Sequence, residues 1–580
     1  MYRKVYKEII EWIKNDDKHT LLVTGARQIG KTYIIREVLK NENCDYVELN
    51  FIEDSSLIDI LKDYKDVQEL ELRLSLASQH DLIPGETIFF FDEVQEVADI
   101  ITMSKFLTEK TNYKFVMSGS LLGVEIKNLR SAPVGYMHII DMYPMDLEEF
   151  YLAVGVNQKV LDKIKECYEK HYPVDDFLHE KLLSLFGHYL IVGGMPEAVE
   201  TYIETNDLRK VAAVQTDLTN LYRKDFTKYN KKEKLILNEV YDAIPAELGE
   251  KNKRYFINHI DGKVSFDKMK NNFIWLKEAG VALPVYNATE PKCPLKISEK
   301  RNLFKLFLAD VGMLTNMFSD DTKMKILNKD SSINNGAVYE NFVAQELIAH
   351  GYDLYYYNNK KNGEVDFLIE HNGKVLPLEV KSGKDYKKHS ALTNLLSVNE
   401  YEIDEAYILC NENISIIEEK YYMPIYMAMF FEENKVDMMV KVDLRGLNEK
   451  VDYIMKELQE LPILLYKYST TNNDLSYHRI LLGNSEEKRG QSHDANLMDQ
   501  AADYYINLRN AYYTENANIE DIEYNYKKLE SICNRKGYDY DDFDEQAKFL
   551  YKISSEQLDE IEDEINMYKK IREEIGAKYV

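Results

Sequence analysis

The hydrophobic pattern changes period several times along this chain. Residues 21–24 are a short apolar run suited to a buried strand, and residues 33–38 open an amphipathic helix. Residues 45–51 alternate as a strand does, and 87–91 and 113–117 are continuous apolar runs of the kind buried in parallel sheets. Residues 138–142 make a further strand. Strands separated by helical stretches predict an α/β fold built on a parallel sheet. From 147 to about 234 the period is helical, punctuated by Gly193, Gly194 and Pro196. Residues 235–314 then read as three helices followed by a hairpin, an order like that of a winged helix, with the third helix at 267–277 and the wing starting at 281. Residues 364–371 and 375–381 alternate polar and apolar around Asn372-Gly373, a strong signal for a two-residue hairpin.

The loop between the first strand and its helix spells Gly25-Ala26-Arg27-Gln28-Ile29-Gly30-Lys31-Thr32, the G-x-x-x-x-G-K-[ST] phosphate-binding pattern. Gly25 and Gly30 let the backbone bend around a phosphate, and the exposed N–H groups of the loop and helix start face the anion. Lys31 is placed to reach the β- and γ-phosphates of ATP, and the Thr32 hydroxyl to bind Mg²⁺. The 87–91 run ends in Asp92-Glu93. In that position Asp92 holds the Mg²⁺ shell and Glu93 polarises the attacking water. Ser118, at the end of the next strand, is a candidate sensor of the γ-phosphate, against the alternative of a plain turn before Gly119.

Composition narrows the class. At 580 residues the chain exceeds a single core and implies about three or four domains. A net charge of -27 argues against a surface that coats nucleic acid at large, while leaving room for a local basic groove. Five scattered cysteines without a C-x-x-C indicate neither a zinc site nor a disulfide framework. Residues 1–14 lack a signal-peptide core, and no apolar run approaches the roughly 20 residues that span a membrane, so the expected compartment is the cytoplasm.

Six segments occur in one order: residues 24–32, 91–95, 118–123, 142–146, 193–197 and 378–383. Together they resemble a large prokaryotic family of AAA-type ATP-binding proteins that carries a C-terminal domain of unknown function with a PD-(D/E)xK nuclease-like core. The resemblance covers about residues 1–433. It implies ATP binding and hydrolysis, and no settled substrate. It implies an ATPase domain at 1–146, a helical lid at 147–234, a winged-helix-like domain at 235–330 and a nuclease-like domain at 331–433. Tyr136 stands where the family often has a basic residue, which leaves Arg130 as a substitute phosphate-sensing cation. Arg223 and Asp225 fall on a lid helix and read as a solvated face.

The 364–381 hairpin carries the second candidate site. A two-residue turn pairs His371 with Lys374, and counting outward sets Asp366 opposite Glu379 and Glu364 opposite Lys381 on one face. Like charges so opposed repel, and a bridging Mn²⁺ or Mg²⁺ would offset them, with Lys381 orienting water or stabilising phosphate charge. A solvated face neutralised by Lys374 and Lys381 is the plainer alternative. Glu340, on a helix at 338–350, matches the helical acid of the PD-(D/E)xK pattern. This site makes DNA or RNA the candidate partner. Residues 434–580 lie beyond the resemblance and read as an acidic, tyrosine-rich helical extension, a candidate protein-partner surface, with oligomerisation left open. The resulting reading is a Mg²⁺-dependent ATPase coupled to a nuclease-like domain. Its rival is a nucleotide-gated switch or scaffold whose nuclease fold is catalytically inactive.

Overall fold

Five parallel strands organise the N-terminal part. The computed structural model describes residues 1–432 apart from 16–18, 62–66, 79–80, 98–99, 121–135, 230–233, 251–253, 256–265, 331–332 and 334. Arg130 and the whole extension from 434 lie outside the described residues. In chain order come α1 (Val5–Lys14), β1 (Thr20–Thr24), α2 (Lys31–Asn41), β2 (Tyr46–Asn50), α3 (Leu57–Ile60), α4 (Val67–Ala77), β3 (Ile88–Asp92), α5 (Ile100–Lys110), β4 (Lys114–Ser118) and β5 (Met137–Asp141). The sheet order is β2-β3-β4-β1-β5, with every pairing parallel. β4 therefore separates the strand that feeds the phosphate loop from the strand that ends in Asp92. Strand alternation splits the core in two. Ile88 and Phe90 face the side covered by α1 and α2, while Phe89, Phe91 and Phe115 stack with α4 and α5 on the other.

The helical segment follows as α6 (Leu147–Ala153), α7 (Gln158–Lys170), α8 (Asp176–Val192), α9 (Pro196–Thr205) and α10 (Leu208–Tyr229). Asp146 and Glu149 close a capping box on α6. Gly193 breaks α8 with a φ of 71°, and Pro196 occupies the first turn of α9, where its missing N–H costs nothing.

Next come α11 (Lys234–Gly249), α12 (Phe266–Glu278), β6 (Ala282–Ala288), β7 (Glu299–Leu308), α13 (Val311–Asn316), α14 (Asp320–Leu327), α15 (Gly336–Ala349), β8 (Tyr355–Asn359), β9 (Gly363–His371), β10 (Lys374–Val380), α16 (Ser390–Leu396), β11 (Ala406–Cys410), β12 (Ser415–Ile417) and β13 (Lys420–Pro424). The strand expected to start a wing is β6, and it corrects the domain plan. It pairs antiparallel with β7 and parallel with β8, so both strands extend one mixed sheet of order β12-β13-β11-β10-β9-β8-β6-β7. The reason is burial: Ala282–Val285 of β6 are all buried, as befits a strand flanked on both sides within a sheet. The described residues fall in one compact unit, Met1–Val436. One apolar core runs continuously from α1 through helices α6–α10 to β9 and β10.

The hairpin register is the expected one, His371 with Lys374 through Phe367 with Leu378. Asn372 and Gly373 both have positive φ, 52° and 75°, as a type I′ turn demands. Val365, Phe367, Leu378 and Val380 are buried, and so are Asp366 and Glu379 on the other face.

Two glycines separate packing from turn strain. A Cβ on Gly194 would lie 2.0 Å from the Met145 carbonyl oxygen, whereas one on Gly373 would meet open space. Gly194→Ala is expected to lower unfolding free energy by about 3 kcal/mol or more, and Gly373→Ala by about 1 kcal/mol from its positive φ. Urea denaturation of the two variants checks the order.

Candidate functional site

The phosphate loop sits at the C-terminal end of β1 and is held from several sides. Gly25 has a φ of 134°, and a Cβ there would lie 2.2 Å from the Met142 carbonyl oxygen. Gly30, at φ 87°, hands the chain to α2, which begins at Lys31 and Thr32. The Lys31 amine donates to the carbonyls of Gly25 at 3.0 Å and Ala26 at 2.7 Å. Burial lowers its pKa to about 8, against the opposite pull of Glu93 and Asp92. Thr32 Oγ1 lies 3.0 and 3.1 Å from the two carboxylate oxygens of Asp92. Asn50 Nδ2 donates to Asp92 Oδ2 at 2.9 Å, and the Ser118 hydroxyl donates to Asp92 Oδ1. Burial raises the Asp92 pKa, while the Ser118 and Thr32 hydroxyls pull it down. A cavity of about 560 Å³ opens over these groups, lined among others by Arg27, Lys31, Thr32, Asp92, Glu93 and Ser118.

Glu93 adopts a left-handed backbone, φ 59°, a strained choice for a non-glycine residue at the mouth of a cavity. The Thr32 hydroxyl gives its hydrogen to Asp92 and keeps lone pairs for a metal, so Thr32 and Asp92 fit Mg²⁺. Ala26, Arg27, Gln28 and Ile29 complete the loop. Ala26 packs against Gly280, where a Cβ would come within 2.9 Å of the Ala26 nitrogen.

Several supports escaped the sequence reading. Arg3 donates to the Ile29 carbonyl at 3.0 Å and the Tyr143 carbonyl at 2.6 Å, and pairs with Glu149 at 3.0 Å. Asp225, expected on a solvated face, is buried and pairs with Arg27 at 3.1 Å. Arg223 does match the expectation, with an exposed ion pair to Asp242. Tyr136 donates its hydroxyl to Glu109 at 2.7 Å.

Residues 17–151 match the family model described as an AAA domain. This stretch is an AAA-type P-loop ATPase domain. Residues 183–324 and 335–427 match two domains of unknown function, DUF8612 and DUF4143. The uncharacterized protein MJ1637 of Methanocaldococcus jannaschii is 24% identical over 431 residues, spanning 67% of this chain and 80% of that protein. Among solved structures, the Walker-type ATPase PABY2304 of Pyrococcus abyssi aligns at 14% identity and a TM-score of 0.35, over 55% of this chain and 95% of that one.

Outside the ATPase domain, α15 and the sheet bring Glu340, Glu364 and Asp366 together around a lysine, with Glu379 and Lys381 paired to each other. Lys305, on β7, is fully buried; its Nζ lies 2.8 Å from Glu364, 3.7 Å from Glu340 and 3.8 Å from Asp366. Burial would lower the Lys305 pKa, yet Glu340, Glu364 and Asp366 together raise it above the ordinary range, so the amine is charged. Lys381 pairs with Glu379 at 2.6 Å, and Asp366 Oδ2 accepts the Val380 N–H at 2.9 Å. Burial, then the Asp366 charge, pushes the Glu379 carboxyl up to about 8. Among the described residues no three His, Cys, Asp or Glu side chains are arranged to hold a metal ion. The expected metal ligands Glu340, Asp366 and Glu379 lie close to the cations of Lys305 and Lys381 instead. Lys305 partly offsets the charge of Asp366 and Lys381 that of Glu379, and the strand position of Lys305 gave no sequence signal of burial.

The phosphate loop gives a pH-dependent expectation. Below pH 8 Lys31 carries the charge that meets a phosphate; above it the free protein has lost that proton and must take it up on binding. ATP affinity, measured by isothermal titration, is expected to weaken as pH rises through about 8, approaching about tenfold per pH unit. Lys31→Ala is expected to abolish binding and with it this pH dependence.

Proposed function

We propose that this chain binds ATP with Mg²⁺ and hydrolyses it, and that the sheet bearing Lys305 serves as a body coupled to that cycle without a resident divalent metal. The observation that carries the first part is the convergence of Lys31, Thr32, Asp92, Glu93 and Ser118 on one cavity. Lys31 and the loop N–H groups hold the β- and γ-phosphates. Mg²⁺ neutralises developing phosphate charge when bound, held through Thr32 and Asp92. Glu93 orients a water in line with the γ-phosphate and accepts its proton, and the Ser118 hydroxyl stands beside the transferred group.

For the C-terminal sheet, Lys305 favours the switch reading over a metal-dependent nuclease. A charged amine among Glu340, Glu364 and Asp366 supplies internally what an external cation would supply. The continuous core between lid and sheet supports mechanical coupling. No helix among the described residues is long and apolar enough to cross a membrane.

Glu93→Gln is expected to bind ATP as the wild type does and to hydrolyse it about a hundredfold more slowly. A phosphate-release assay beside a binding titration checks this, and hydrolysis at the wild-type rate would remove Glu93 from the mechanism. For the acidic centre, Mn²⁺ titration of nucleotide-free protein by electron paramagnetic resonance is expected to show no bound ion that Asp366→Ala removes. Supercoiled, linear and single-stranded DNA should stay intact with Mn²⁺ and ATP present. Lys305→Ala is expected to destabilise the fold by about 3–5 kcal/mol, because it strands buried carboxylates without their cation.

A further inference from the structure

The carboxylate of Glu93 is tied to a chain of polar contacts that leads away from the nucleotide cavity to the lid. Gln95 Nε2 donates to Glu93 Oε2 at 2.5 Å. At its other end the same amide accepts the Ser120 backbone N–H through Oε1 at 3.2 Å. The two contacts together dictate the amide orientation, since a flipped Gln95 would set an oxygen against the Glu93 carboxylate and an NH₂ against an N–H. The Ser120 hydroxyl accepts from Arg27 Nε at 3.2 Å, and Arg27 Nε lies 3.1 Å from Asp225 Oδ2. Asp225 is a buried residue of α10, and the Tyr222 hydroxyl of the same helix contacts the Arg27 carbonyl at 3.4 Å.

We propose that Gln95 is a positioning residue for ATP hydrolysis: it holds the Glu93 carboxylate and, through Ser120 and Arg27, makes that hold depend on Asp225 of the lid. The inference rests on Glu93 acting as the water-orienting base. Gln95 is not among the residues lining the cavity, so its effect on turnover passes through Glu93. One oxygen of Glu93 is spent on the Gln95 amide and the other is left to accept from water. A free carboxylate at the tip of a left-handed residue would rotate among several orientations, and only a fraction would face an attacking water. The link to Asp225 gives the arrangement its second property. A shift of α10 moves Arg27 in the phosphate loop and Ser120 at the end of β4 together, because one guanidinium nitrogen contacts both partners.

The test is steady-state ATP hydrolysis and separate ATP binding by Gln95→Glu, Asp225→Asn, the double variant and Glu93→Gln. Gln95→Glu keeps the length and the acceptor for Ser120 but loses the donor to Glu93. It is expected to lower kcat about tenfold or more, with ATP affinity within about twofold of wild type. Asp225→Asn should lower kcat by about threefold to tenfold, and the double variant should be no slower than Gln95→Glu alone, as residues acting in one chain require. Multiplying effects in the double variant would overturn the link to the lid. A normal kcat in Gln95→Glu beside a slow Glu93→Gln would overturn the positioning role alone. A normal kcat in Glu93→Gln would overturn the base assignment and this inference with it.

Discussion

The buried carboxylate of Asp92 is the constraint on which the nucleotide site depends. It stands at the end of the most buried strand of the parallel sheet, where an ionised group needs donors. Thr32 supplies one from the start of α2, Asn50 one from β2 and Ser118 one from β4. Those three contacts join neighbouring strands and the phosphate loop at the sheet edge where ligands bind in open α/β folds. The carboxylate is thus the means of holding that edge together.

The loop itself shows how little slack surrounds such a site. Gly25 lies against the Met142 carbonyl, and Gly280, at the end of α12, against Ala26. Arg3 spans the Ile29 and Tyr143 carbonyls while paired to Glu149. Each contact comes from a different part of the chain, so the loop cannot rearrange around a nucleotide without pressing on the N-terminus, the β5–α6 junction or α12. Such discrete packing transmits displacement because interiors are close-packed.

Helix α15 connects this environment to the acidic centre. Its Glu340 end faces Lys305. At the other end Glu346 accepts the Leu147 N–H at 3.0 Å, and His350 lies 3.2 Å from Asp146, which also pairs with Lys4 at 2.8 Å. The Lys4 and His350 contacts drive the Asp146 carboxyl well below the usual range despite its burial. Every position from Val338 to Leu347 is buried, so the helix is a core element between charged clusters and not a surface element.

What the sequence determined by itself was local. The phosphate loop, the Asp92-Glu93 strand end, the breaks at Gly193 and Pro196 and the register of the 364–381 hairpin all follow from turn chemistry and periodicity over a few residues. Those rules act between neighbours, so they can be read without knowing the fold. Tertiary structure decided the rest. Nothing in the sequence around Lys305 marks it for burial, and only the pairing of β6 with β7 and β8 places it against Glu340, Glu364 and Asp366. Asp225 reads as helix surface, and only the seating of α10 against the phosphate loop buries it beside Arg27. The physical reason is the same in both: a charge is stabilised by what lies opposite it in space, and nothing in a residue's own segment encodes that partner.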